Sequence, residues 1–443
     1  MANPQPPFAE NPPGNSGAPR TTLLTCPLPP FKLTANCRPK NMNTALLRTT
    51  PNGGPPAIAL ANLKKHLRTL ITLEATDDLV ISCYLNLEGG KWEEGAAEAR
   101  NVFRERRALL RKSLIGERKN SFEEALHEIE VYMEKQLSPR SHGIALFARG
   151  GERPFFLPLQ FQVPLPNWIT VDAIPNVYHL VELKDTYHRF VLLLMTGKGA
   201  RILEINLGAV TEEVWTEQPQ LRDRIGSGWT KTHYQHHREQ QTERFIAEKI
   251  QVLDRLTSAG GHTHLILAGN PDLTARMKKA LPKHLAEKLV DTVHASERDT
   301  LLDIVTATNS LFAEHEEAES LDRVHQLQRE IRTHGLAVAG AAACLRVLKE
   351  GQADVLILAK AYKSDPGWAC RRCGEIRTAP AKPMACMACL GFELHEVDLQ
   401  EEMVRRAERN RVEVEIVNQS DLLMELGGVG CLLRYQSQDR VGR

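Results

Sequence analysis

The chain reads as an α/β protein of several units, with sheets covered by helices and a metal knuckle inserted into its last third. Three observations predict this. Short runs rich in β-branched residues, such as FVLLLM (190–195) and DVLILA (354–359), alternate with longer segments of helical period. A length of 443 residues exceeds what one core supports, so two to four units are expected. Four of nine cysteines crowd into residues 370–389, while the others stand singly.

Residues 1–57 are rich in Pro, Asn, Gly and Thr and lack periodicity, so an unstructured tail is expected there. The first unit, 58–185, opens with a short helix from Leu63 and the strand LVISCYLNLEGG (79–90), which ends in a Gly-Gly turn. Helices follow over 93–115 and 121–137, the second with Ser121 and Glu124 as a capping box. HGIALFARGG (142–151) is a strand and turn.

The second unit, 186–319, starts with three strands in RFVLLLMTGKGARILEINLGAVTEEVW (189–215). A loop over 224–238 comes next, RIGSGWTKTHYQHHR, and leads into a helix running to about Ser258. Phe245, Ile246, Ile250, Leu253 and Leu256 line one face of that helix, and Gly260-Gly261 is placed to end it. HLILAG (264–269) is a buried strand, followed by two helices.

The third unit, 320–443, has helical spacing at Leu321, Val324, Leu327 and Ile331. A small-residue helix is expected over 335–351, then the strand ADVLILAKAY, the cysteine insert, a helix over 398–410, and the strands VEVEIV and GCLLRY. Repeated βα units imply a largely parallel sheet.

Lys plus Arg (56) nearly balance Asp plus Glu (55), so the whole chain is not an obvious polyanion binder, and local charge has to decide. Apolar runs fall far short of the ~20 residues a membrane helix needs, so no membrane partner is expected. No signal peptide is evident, and the scattered cysteines suit a reducing compartment, so the expected location is cytosolic.

Cys370-x-x-Cys373 and Cys386-x-x-Cys389 carry the sharpest signal. Two knuckles can turn four thiolates toward one structural Zn²⁺, with no open position for a substrate. The metal would supply folding energy to an insert with almost no apolar core of its own. Disulfides or a redox pair are the alternatives. Arg371, Arg372, Arg377 and Lys382 offset thiolate charge, touch RNA, or simply form a solvated rim.

Residues 100–119 hold eight Lys/Arg against two Glu. Arg100, Arg104, Arg107 and Arg111 fall on one helical stripe, with Val102, Phe103, Leu109 and Leu110 opposite. That stripe is a candidate phosphate-binding face or a solvated charge run.

ISCYLNL, RFVLLLMTGKGARILEINLG, GLAVAGAAACLRVLKEGQADVLILAKAY and above all LGGVGCLLRY resemble the superfamily of archaeal and eukaryotic class-one release factors and Pelota. The likeness is to its bacterial members, which include Balon-type hibernation factors, and it spans about residues 60–443. It implies a three-domain architecture with mixed sheets, the 224–238 loop at the tip of the central domain, and the zinc insert in the C-terminal one. Release factors of this group carry Gly-Gly-Gln at that tip to position a water against peptidyl-tRNA. Here the place reads Gly226-Ser227-Gly228-Trp229-Thr230-Lys231, and Gly-Gly-Gln occurs nowhere in the chain.

Catalysis of release is therefore not expected. What remains suits RNA: Gly226 and Gly228 for close approach, Trp229 and Tyr234 for stacking, and Thr230, Lys231, His236, His237 and Arg238 for polar and phosphate contacts. The resemblance implies binding to the ribosomal A site and to ribosomal RNA of both subunits, and a GTPase partner such as elongation factor Tu. The function expected from it is ribosome hibernation or a stress response. The alternatives are a peptidyl-tRNA hydrolase or ribonuclease acting through 226–238, and a zinc-stabilised RNA-binding protein working off the ribosome.

Overall fold

The computed structural model describes residues 47–48, 60–89, 91–113, 117–187, 189–196, 199–217, 231–260, 262–296, 298–363 and 366–435. The expected unstructured tail lies outside them except at β1 (Leu47–Arg48), a two-residue strand on the edge of the central sheet.

The N-terminal part contains α1 (Leu60–Thr72), β2 (Val80–Asn86), α2 (Trp92–Ser113), α3 (Glu117–Lys135), β3 (Gly143–Arg149), β4 (Phe155–Phe161), β5 (Trp168–Asp172) and α4 (Tyr178–Thr186). Its sheet, in the order β4-β3-β2-β5, is antiparallel throughout. Alternation along β2 sends Ile81, Cys83 and Leu85 to the face covered by α2 and α3, and Tyr84 to the opposite face with α1 and α4. The expected capping box at Ser121 is not formed. The helix already starts at Glu117, Ser121 is buried inside it, and the Glu124 carboxylate accepts the Gly151 N–H instead.

The central part runs β6 (Phe190–Thr196), β7 (Gly199–Asn206), β8 (Ala209–Glu217), α5 (Lys231–Gly260), β9 (His264–Gly269), α6 (Pro271–Ala280), α7 (Lys283–Ala286), β10 (Leu289–His294) and α8 (Leu301–Arg332). Its sheet order is β1-β8-β7-β6-β9-β10, with β6, β9 and β10 parallel and the rest antiparallel. Val191, Leu193 and Met195 bury against Phe245, Ile246 and Leu253 of α5 and Met277 of α6. Their neighbours Phe190, Leu192 and Leu194 bury against Ile304, Val305 and Phe312 of α8. Gly269 has φ +134°, and a Cβ there would stand 1.8 Å from the Met195 carbonyl oxygen, so glycine is required where β9 turns over β6.

The C-terminal part comprises β11 (Ala337–Ala339), α9 (Ala341–Glu350), β12 (Ala353–Ala359), β13 (Gly367–Cys370), β14 (Ile376–Thr378), β15 (Leu394–Val397), α10 (Leu399–Arg409), β16 (Glu413–Val417), α11 (Asp421–Glu425) and β17 (Val429–Leu433). The order β11-β17-β12-β16 has one parallel pair, β12 with β16. The small-residue stretch is therefore not one helix. Ala337–Ala339 extends beside β17, and Gly340 at φ +84° redirects the chain into α9.

The largely parallel sheet expected from the βα pattern is corrected to mixed and antiparallel sheets. In the N-terminal sheet a short turn joins β3 to β4, β2 reaches β3 only through α2 and α3, and β5 returns to pair antiparallel with the other edge of β2, pairings that a βα alternation does not specify. Residues 319 and 320 are consecutive in α8, which gives Phe312 to the central core and Val324 and Leu327 to the C-terminal one. Thr300 and Asp303 form the reciprocal cap that starts this helix.

The N- and C-terminal sheets share a core cluster through α4 and α10. Both oxygens of Glu401 accept backbone N–H groups at the start of α4: Val177 at 2.9 Å to Oε1, and Tyr178 at 2.9 Å to Oε2. Arg405 lies beside Glu401 and donates to the carbonyls of Ile71 and Pro175. Asp185 at the end of α4 accepts the Ile416 N–H of β16 at 2.7 Å.

Candidate functional site

Three places carry candidate functional residues. The first is the connection from β8 to α5. Gly226, Gly228, Trp229 and Thr230 lie outside the described residues. Lys231, Tyr234, His236, His237 and Arg238 are not in a loop but in the first turns of α5, a correction to the expected 224–238 loop. The reason is local: KTHYQHHREQQTERF contains no Gly or Pro, so nothing breaks the helix before its apolar stripe begins. Gly260, the first of the other Gly-Gly pair, is the last residue of α5, which is 30 residues long.

The second place is α2. The stripe Arg100, Arg104, Arg107, Arg111 is turned partly inward, toward α3, and not wholly outward as expected. Arg111 holds Glu123 in a two-pronged contact, with Nε to Oε1 at 2.7 Å, and Arg107 pairs with Glu130. Arg100 is half-buried, whereas Arg104 is exposed and reaches Asn101 at 3.3 Å. Leu109, expected to pack, is 57% exposed, while Ala96, Ala99 and Phe103 make the buried face. Helix α3 brought the carboxylates, and its register against α2 was not visible in α2 alone. The guanidinium groups left for an outside anion are those of Arg104 and its neighbour Arg106.

The third place is the cysteine insert, a three-stranded antiparallel sheet in the order β14-β13-β15. Sγ of Cys370 lies 3.6 Å from Sγ of Cys389, and Cys373 lies 3.6 Å from Cys386. All four sulfurs fall within 4.8 Å of one another and can hold a metal ion. Sulfurs about 2.3 Å from a tetrahedral ion stand about 3.8 Å apart, so the spacing fits.

The N–H of Cys373, and after it that of Arg372, draws the Cys370 thiol down to about 7. At Cys373 the Glu375 N–H pulls the same way, but the sulfurs of Cys389, Cys386 and Cys370 outweigh it and the thiol rises to about 12. Four thiols this close cannot all ionise without a cation to share the charge.

The insert also presents a surface that its arginines had overshadowed in the sequence. Met384 is 93% exposed and Phe392 78%, with Met387 and Leu390 exposed beside them. Four bare apolar side chains on so small a module form a patch suited to a partner. The signal in the sequence is the crowding of Met384, Met387, Leu390 and Phe392 around the second knuckle.

Among the described residues, no helix is long and apolar enough to cross a membrane.

Parts of this chain are similar to known proteins and to one family model. Two uncharacterized proteins of Mycobacterium tuberculosis, Rv2629 of strain H37Rv and MT2704 of strain CDC 1551, are each 27% identical over 286 residues, covering 63% of this chain and 74% of their own length. Among solved structures, the archaeal translation termination factor aRF1 aligns over 86% of this chain and 99% of its own at 14% identity, with a TM-score of 0.24. Archaeoglobus fulgidus Pelota aligns over 86% and 94% at 13% identity, with a TM-score of 0.33. The family model that matches is Bacterial archaeo-eukaryotic release factor family 10, over residues 175–313, from just before α4 to the middle of α8. Over that segment, which holds the central sheet and the long helix α5, this chain is similar to the bacterial archaeo-eukaryotic release factors of family 10.

Proposed function

We propose that the chain is a translation factor of three domains that occupies the ribosomal A site without hydrolysing peptidyl-tRNA, in hibernation or a stress response in the cytoplasm. One observation carries the reading. Residues 175–313 match a bacterial release-factor family, yet the connection before α5 reads Gly226-Ser227-Gly228-Trp229-Thr230-Lys231 and Gly-Gly-Gln is absent from the sequence. Such a factor keeps the body that fits the site and lacks the residues that would position a water against the ester.

In this reading the β2–β5 sheet faces the decoding region of the small subunit. The tip ahead of α5 reaches toward the peptidyl-transferase centre, with Trp229 and Tyr234 stacking on bases and Lys231 and Arg238 meeting phosphates. Cys370, Cys373, Cys386 and Cys389 hold a structural Zn²⁺, supported by the 3.6 Å sulfur spacings. The apolar patch of Met384, Met387, Leu390 and Phe392 suits a protein partner, and a translational GTPase such as elongation factor Tu is the one proposed.

The test is co-sedimentation of the zinc-loaded protein with vacant bacterial ribosomes at moderate salt, followed by cryo-microscopy. Density in the A site, with no labelled peptide freed from stalled complexes, is the expected result. Failure to co-sediment, or binding elsewhere, overturns the proposal. Release abolished by His236→Ala with His237→Ala would establish the hydrolase reading instead, and equal affinity for free structured RNA the off-ribosome one.

A further inference from the structure

A second cluster of metal-ligating side chains lies where α8 crosses the start of β9, apart from the cysteine insert and from the tip. His264 opens β9, and His315, Glu316 and Glu319 come from the middle of α8. Nε2 of His264 is 3.9 Å from Oε1 of Glu316 and 4.0 Å from Oε2 of Glu319. Nδ1 of His315 is 3.8 Å from Oε1 of Glu319. One ligand atom from each of the four residues lies within 4.8 Å of the other three.

These gaps exceed hydrogen-bond length. They match the spacing of donors around a shared ion, since N and O ligands about 2.0–2.2 Å from one cation stand about 3–4 Å apart.

Features outside the cluster prepare it for a cation. His264 Nδ1 is 2.8 Å from the Thr263 hydroxyl, a hydrogen bond that orients the ring. Phe312 packs edge-on against the same imidazole at 5.2 Å and fixes its plane. Nδ1 of His315 is buried and has no hydrogen-bond partner among the described residues. The side chains of His264 and Glu316 are only 16% and 11% exposed.

We infer that His264, His315, Glu316 and Glu319 form a site for a divalent transition-metal ion of the zinc class, which clamps α8 to β9. Two imidazoles with two carboxylates make a borderline nitrogen and oxygen set that suits Zn²⁺ and disfavours Mg²⁺ or Ca²⁺, which take oxygen ligands. The position explains the use. Phe312, one turn before the cluster, belongs to the central core, and Val324, two turns after it, to the C-terminal core. A cation there pins the helix at its crossing point. The inference stands on this geometry alone and not on the ribosomal reading.

The experiment is zinc and cobalt titration of the full chain. Zn²⁺ bound per chain is measured by elemental analysis, and the Co²⁺ spectrum separates the ligand sets: thiolates give an intense charge-transfer band, whereas a nitrogen and oxygen site gives only weak visible bands. The expected result is a second equivalent of metal, with weak bands only, beyond the one that saturates the thiolate band. His264→Ala with His315→Ala removes the second equivalent and leaves the thiolate band. Glu319→Gln, at an exposed position that folding tolerates, weakens it about tenfold or more and serves if the double variant misfolds. A single equivalent in the unmodified chain, or a second that persists at unchanged affinity in Glu319→Gln, overturns the inference.

Discussion

Glu204 on β7 shows how much one side chain can concentrate. Arg189 Nη2 lies 2.8 Å from its Oε1, Thr211 donates to the same oxygen at 3.0 Å, and His262 Nε2 is 3.2 Å from Oε2. Burial acts to raise its pKa, but the bonds from His262, Arg189 and Thr211 win and hold it at about 2. A carboxyl depressed in the folded state stabilises above its unfolded pKa, and that contribution drains away as pH falls from about 4.5 toward 2. After discounting for solvent screening, it is worth about 1–2 kcal/mol. Glu204→Gln is expected to lower the melting temperature at pH 7 and to flatten its acid dependence in that window, as differential scanning calorimetry at a series of pH values would show. Glu401 sits in the opposite situation: complete burial pushes its carboxyl up to about 7 despite Arg405 and the Val177 and Tyr178 N–H groups. Glu401→Ala strands the buried Arg405 and uncaps α4, so urea unfolding is expected to show a loss of about 3–5 kcal/mol.

At the scale of elements, a helix face read from one helix is incomplete until its neighbour is known. The arginine stripe on α2 has the expected periodicity, yet Arg107 and Arg111 are engaged by α3. Arg111→Ala is expected to cost about 0.5–1 kcal/mol of stability and leave ribosome affinity unchanged. Arg104→Ala with Arg106→Ala is expected to do the reverse, and equilibrium unfolding beside co-sedimentation separates the two. The cysteine insert was legible because its chemistry is local: two Cys-x-x-Cys knuckles specify their own geometry whatever surrounds them. Removing metal with a chelator is expected to abolish amide protection over β13, β14 and β15 while β12 and β16 keep theirs. Hydrogen exchange followed by mass spectrometry checks it, and uniform protection after chelation would show that the insert folds without an ion.

Across the whole molecule, α8 and the α4–α10 contact join parts that the sequence presents as successive units. Helix α8 runs unbroken through residue 320 and gives Phe312 to the central core and Val324 to the C-terminal one, because its apolar spacing continues throughout. On the proposed reading, in which Lys231, Arg238 and the exposed arginines of α2 meet ribosomal phosphates, binding is expected to weaken steeply with salt, log affinity falling by about 0.7–0.9 per phosphate neutralised. Trp229→Ala with Lys231→Ala should weaken binding and make that slope shallower in sedimentation at several salt concentrations. A slope unchanged by both substitutions would place the contact elsewhere on the chain.

By itself the sequence determined the long buried strands, the amphipathic face of α5, the four-cysteine site and the absence of Gly-Gly-Gln. Each depends on residues near one another along the chain, where period, spacing and motif are sufficient. Only the tertiary structure decided the antiparallel pairing of the first sheet, the α3 carboxylates facing the α2 arginines, and the meeting of His264 with His315, Glu316 and Glu319. Strand order and cross-chain charge pairing depend on which distant surfaces bury each other, and no local pattern encodes that choice.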